Sequence, residues 1–224
     1  MTETTISRLR AGIIALAPMV LLAALAWHPY IGGRLPNDSA VADAVAAGPT
    51  RWGLAHLAAG VASGVVVLAF LAVRSYLRER SEDRWSALGM PFVVIGSALY
   101  TLLPGMEFAP LAAVETGEDA AAAQEALEPW FLPVLLVGAF TFALGVLGFA
   151  KGVAGARILG PGMTGVVVMA LVTMAASRFV PLFAVQAYVQ PVAALIALWP
   201  LARLMWTRSP APIGRTAGTS VAPG

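Results

Sequence analysis

Gly105-Met106-Glu107-Phe108-Ala109-Pro110-Leu111 closes an apolar run that starts at Trp85 and places an ionisable residue at the edge of that run. The chain nearly repeats it as Ser177-Arg178-Phe179-Val180-Pro181-Leu182, where the glutamate has become an arginine and the Phe-x-Pro-Leu frame is kept. A third apolar run ends in Trp27-His28-Pro29-Tyr30. An apolar helix of about 20 residues, rising 1.5 Å per residue, crosses the ~30 Å hydrocarbon core of a bilayer. The pattern therefore predicts an all-α, polytopic membrane bundle with a polar layer at one face.

Composition supports this class. Of 224 residues, 59% are hydrophobic and 12% charged, half the ~25% charged of a soluble domain. There are no cysteines, which excludes disulfides, thiolate nucleophiles and Cys-ligated metals. The net charge is only +2 and the basic residues fall in short juxtamembrane groups. The expected partner is the lipid bilayer, not nucleic acid.

Six transmembrane helices are predicted at about 11–27, 52–73, 85–103, 129–150, 159–179 and 184–206, one domain over 1–206. Residues 207–224, rich in Pro, Gly, Ser and Thr, read as a disordered cytoplasmic tail. The basic start and Ala24-Leu25-Ala26 also allow a cleaved signal peptide in place of the first helix. Asn37-Asp38-Ser39 is a cap for a short helix over 40–47. Pro104-Gly105 is expected to stop the third long helix, so that 105–128 forms an acidic outer loop. Within that loop Thr116 and Asp119 read as a capping box for a short alanine-rich helix to about Leu127. Pro191 and Pro200 are expected to kink or unwind the last helix.

Charge bias sets the orientation. With the N-terminus inside, Arg8, Arg10, Arg74, Arg78, Arg80, Arg84, Lys151, Arg157, Arg203, Arg208 and Arg215 are cytoplasmic, and only Arg34, Arg51 and Arg178 lie outside. The positive-inside rule then places both termini in the cytoplasm and the chain in the plasma membrane. Trp27, Trp52 and Trp130 would mark the outer interface, and Trp85, Trp199 and Trp206 the inner one. The echo of the third and fifth helices suggests one helical hairpin used three times in parallel orientation. Gly60 with Gly64, and Gly138, Thr141, Gly145, Gly148 and Gly152, form small-residue faces that suit close packing, a second copy or a membrane partner.

Several chemistries are absent. There is no phosphate-binding Gly-Lys-Ser/Thr loop and no Gly-x-Ser-x-Gly elbow. The sole lysine, Lys151, lies at the inner end of its helix, so no buried Schiff base is available. His28 lies 18 residues after Arg10 and His56 18 before Arg74, each about 27 Å above the basic boundary. The polar outer layer is then His28, His56, Glu107 and Arg178, joined by Gln186, Tyr188 and Gln190 at the start of the last helix. Three readings stay open for the histidines. They are interfacial side chains bonded to carbonyls, or they bind a divalent metal with Glu107, or a haem. Glu107 and Arg178, at matching helix ends, are expected to face each other across the outer mouth, the alternative being that Arg178 snorkels to a lipid phosphate while Glu107 sits in the aqueous loop.

With its short N-terminus, alanine-rich loop after the first helix and Arg51-Trp52 opening the second, the chain resembles the uncharacterised six-helix integral membrane proteins common in bacteria. That resemblance is one of layout and implies the fold, not an activity. The expected function is non-enzymatic, transport-like or accessory. The alternative is metal or haem binding through His28 and His56.

Overall fold

The computed structural model describes residues 3–80, 82 and 84–207, so the expectation for the tail beyond Thr207 lies outside the described residues. The described chain is all helix apart from short connections and one isolated bridge between Arg34 and Leu182. The helices are α1 (Glu3–Trp27), α2 (Asp38–Ala47), α3 (Pro49–Glu79), α4 (Arg84–Met106), α5 (Phe108–Thr116), α6 (Ala120–Ala156), α7 (Pro161–Ala176) and α8 (Gln190–Thr207). A 3-10 turn, Ser177–Phe179, extends α7, and a π turn, Val185–Val189, precedes α8. Six stretches of 19 to 37 residues are long and apolar enough to cross a membrane.

Local chemistry sets most ends. Asn37 accepts a hydrogen bond from the Ala40 N–H at 3.3 Å and caps α2. Pro49 and Pro161 open α3 and α7, where a missing N–H is harmless. Gly117 ends α5 in the left-handed region, φ +82°. Asp119 then caps α6, its Oδ1 accepting from the Ala121 and Ala122 N–H groups at 2.9 and 3.1 Å.

Three expectations are corrected here. The segment 105–128 is not a loop with one short, separate helix to about 127: it is α5 and the first turns of α6, which starts at Ala120 and runs unbroken to Ala156. Pro104 does not stop α4, which runs on to Met106 and breaks at Glu107 (ψ −1°). Thr116 makes no capping box with Asp119. Its hydroxyl donates back to the Ala112 and Ala113 carbonyls, because a helix end and a helix start meet at Gly117. A smaller difference is that Thr207, assigned to the tail, is the last residue of α8.

The long helices close a ring in chain order: α1 packs on α3 and α8, α4 on α3 and α6, and α7 on α6 and α8. The core is built of alanines around Phe70, Phe142 and Phe149, with Phe70 and Phe149 ring centroids 4.8 Å apart. The tightest seam is α4 on α6. A Cβ on Gly89 would fall 2.6 Å from the Gly145 carbonyl oxygen, and one on Gly96 would fall 2.5 Å from the Phe142 nitrogen. The small face of α6 is thus packed as expected, at Gly138, Gly145, Gly148 and Gly152. That of α3 is packed only in part: a Cβ on Gly60 would lie 3.6 Å from Thr101 Cγ2 of α4, but one on Gly64 would meet nothing within 4 Å. At the other end of the bundle from the basic residues, Ile31, Val41, Val45, Trp52 and Leu111 form a second apolar cluster. The chain after α1 is stitched over this end by the Leu35 N–H on the Pro181 carbonyl, 3.0 Å.

Candidate functional site

Beneath that cluster lies a cavity of about 200 Å³, walled by α1, α3, α4, α6, the 3-10 turn and the residues around the π turn. His28, His56, Glu107, Arg178, Gln186 and Gln190 all line it. Tyr188 does not: it is 37% exposed and stands edge-on to Phe183.

Three of the lining groups, His28, Trp52 and His56, are anchored by α1 and α3. Trp52 and His56 are one turn apart on the inward face of α3. Trp52 is not an interface marker, as its position suggested, but is fully buried, and its Nε1–H donates to the Glu107 carbonyl at 3.0 Å. Its ring stacks on His56, centroids 4.4 Å apart. His28, just beyond α1, meets His56 with Nε2 atoms 3.2 Å apart. His28 Nδ1 lies 2.6 Å from the Pro29 carbonyl and His56 Nδ1 lies 2.8 Å from the Trp52 carbonyl. These are three short contacts, and two neutral rings carry only two protons between them. A carbonyl only accepts, so the Nε2 contact becomes a hydrogen bond when one further proton is shared. Burial opposes that charge: it pushes His28 below the ordinary imidazole range, the Arg51 charge acts the same way, and the Pro29 carbonyl acts against both.

Glu107 is buried at the break between α4 and α5. Its Oε1 accepts from Gln124 Nε2 at 3.2 Å, while Oε2 has no partner. Arg178 is buried in the 3-10 turn after α7. Its guanidinium is sandwiched between Tyr100 and Phe142, 3.6 and 3.5 Å from the two ring centroids. The Gln190 amide oriented to satisfy both partners accepts from Arg178 Nε at 2.9 Å and Nη2 at 3.1 Å. Pro191 explains how Gln190 reaches it. Lacking an N–H, proline cannot continue the α pattern. The preceding turn widens, with the Gln190 N–H on the Val185 carbonyl. The expected unwinding at Pro191 is thus a π turn that aims an amide into the cavity. Gln186, one turn earlier, donates to the Val180 carbonyl at 3.0 Å.

Glu107 and Arg178 share the cavity but form no ion pair, against expectation. Among the described residues the one ion pair is Arg10 with Glu79, at 2.6 Å. The reason is vertical spacing: Glu107 lies seven residues beyond Tyr100, just past the end of α4, about 10 Å, and Arg178 sits at the Tyr100 level. The cavity therefore has a cationic pole and an acidic pole. Glu107 does not converge with the histidines either: among the described residues no three His, Cys, Asp or Glu side chains gather as a metal site. In-line ligation of a haem iron would set two Nε2 atoms about 4 Å apart, at about 2 Å per metal–nitrogen bond. The 3.2 Å contact leaves no room for the iron and its macrocycle between the rings in this arrangement.

Trp52, Tyr100, Gln124 and Phe142 were not foreseen. The four-residue step from Trp52 to His56 was the one available signal. The others come from α4 and from two distant turns of α6, and are joined to the site only by packing. Compared with family models, with curated proteins and with solved structures, the chain matches none.

Proposed function

We propose that the chain is a multi-pass plasma-membrane protein, non-enzymatic and transport-like or accessory in role, which binds a small molecule in the cavity at its outer end. Membrane insertion is supported by which residues face outward. Alanine is the commonest residue of the interior, while Leu57, Val61, Leu68, Ile95, Leu136, Phe140 and Met169 are among the many large apolar side chains exposed around the ring. A protein in water rarely presents such a continuous apolar belt. The charge bias supports cytoplasmic termini, with the cavity end outside and the three hairpins standing parallel.

Binding is carried by one observation: a half-open cavity in an apolar bundle whose wall holds polar atoms without partners, namely Arg178 Nη1, Tyr100 OH, Glu107 Oε2 and Gln124 Oε1. Buried polar atoms are ordinarily satisfied, and a purely structural subunit has no use for these. The test is thermal unfolding of the detergent-purified protein against small organic anions, cations, zwitterions and divalent metal ions. A ligand that stabilises the wild type but not the cavity-filling Ala59→Leu variant is the expected result. No stabilisation by any class overturns the reading.

A further inference from the structure

We propose that the cavity takes a small organic monocarboxylate, with Arg178 as its counter-ion. This rests on reading the cavity as a ligand site. Arg178 is 6% exposed and carries a guanidinium that stays charged. Buried charges are paired, yet no carboxylate of the described chain reaches this one. Its neighbours are neutral: a ring on each face and the Gln190 oxygen along the Nε–Nη2 edge. They hold the guanidinium plane rigidly and leave Nη1 free. The Tyr100 hydroxyl, on the ring that Arg178 covers, is also without a partner. The wall thus holds two covered, unpartnered donors beside a positive charge, which suits the two oxygens of a carboxylate that displaces what covers them.

The rest of the cavity sets the body and the limits of the ligand. Leu21, Leu25, Leu103, Phe131 and Leu135 give it an apolar wall. Its volume of about 200 Å³ exceeds the roughly 150 Å³ that accommodates benzene, and far exceeds a monatomic ion. At the opposite pole, Glu107 Oε2 and Gln124 Oε1 are acceptors without partners. They repel a second carboxylate and suit a hydroxyl. The two poles therefore orient the ligand and select against dicarboxylates.

The experiment follows thermal unfolding of the full chain in detergent, at constant ionic strength, with benzoate, 4-hydroxybenzoate, terephthalate or chloride. Benzoate is expected to raise the midpoint saturably, 4-hydroxybenzoate at lower concentration, and terephthalate and chloride not at all. Arg178→Met should weaken benzoate about tenfold or more. If that variant does not fold, Tyr100→Phe removes a donor without a charge and should still weaken it. Glu107→Gln should keep benzoate and admit terephthalate. Equal shifts in wild type, Arg178→Met and Tyr100→Phe would overturn the proposal, as would chloride matching benzoate, which would mean an inorganic-anion site. If carboxylates fail while an amine or a metal ion from the wider panel binds, this proposal falls and the ligand-site reading stands. If nothing binds, both fall.

Discussion

The α4–α6 seam holds the cationic pole together, and Gly96→Ala tests it. Gly96 faces the backbone of Phe142, whose ring forms one face of the Arg178 sandwich. A Cβ there would sit 2.5 Å from the Phe142 nitrogen and 2.7 Å from its Cα and Cβ, against 3.4 Å for ordinary contact. These are backbone atoms and a side-chain root, so no rotamer change relieves the clash. The helices must part by close to 1 Å. A gap of that size forfeits a quarter to a half of the dispersion energy. Over about 40 atom pairs at about 0.1–0.2 kcal/mol each, the loss is about 1–4 kcal/mol. Overpacking elsewhere costs about 1–3 kcal/mol, so about 2 kcal/mol is expected. The control is Gly64→Ala, where the new Cβ meets nothing within 4 Å and the helix gains up to about 1 kcal/mol of propensity. Reversible unfolding in mixed micelles reads both. A Gly96→Ala variant as stable as wild type would refute the close seam. A destabilised Gly64→Ala would show that this open face is covered by something else, a second copy first of all.

Other outcomes follow from single contacts. Asp119→Ala, which strips two backbone N–H groups of their acceptor at the start of α6, should lower unfolding stability by about 1 kcal/mol, and Asp119→Asn by much less. Burial lowers the His28 pKa from 6.5, so the unfolded ring takes up a proton first. Its contribution is complete above about pH 6.5 and is lost as pH falls below that value. Unfolding measured at pH 8 and pH 5 should show wild type losing more stability than His28→Gln, and equal losses would contradict the assignment. Glu107→Gln and Arg178→Gln should act additively in a double-mutant cycle, with coupling below about 0.5 kcal/mol. A coupling above about 1 kcal/mol would mean that they pair directly.

What the sequence makes legible here is what depends on run length and local pattern. Six apolar stretches, the Asn37 cap and the common level of His28 and His56 are of this kind. Apart from the glycine face of α6, the helix faces are not legible, because helices apolar all round do not mark their inward side by polarity. Trp52 illustrates this: a tryptophan near a helix end reads as an interfacial anchor, and only the fold shows its ring under the α2–α5 cluster. The Phe-x-Pro-Leu echo misleads in another way. Phe108-Ala109-Pro110-Leu111 opens helix α5, while Phe179-Val180-Pro181-Leu182 leaves the helix, with Val180 in an extended conformation. A four-residue frame does not decide its own conformation, since a proline fits the first turn of a helix as well as a turn outside one. Arg178 was visible as an edge charge, but its partners Tyr100, Phe142 and Gln190 come from three other helices. Contacts between such distant segments are written in packing, not in spacing.

The orientation of the bundle is tested most directly by cysteine labelling, since the native chain has no cysteine. Glu118 lies exposed between α5 and α6 at the cavity end, and Gly155 lies exposed near the end of α6 at the basic end. Single cysteines at the two positions are probed with an impermeant maleimide in intact cells and again after permeabilisation. A bundle that spans the membrane with its cavity end outside predicts labelling at 118 in intact cells and at 155 only after permeabilisation. The reverse pattern would contradict the orientation, and labelling of both in intact cells would contradict a spanning bundle altogether.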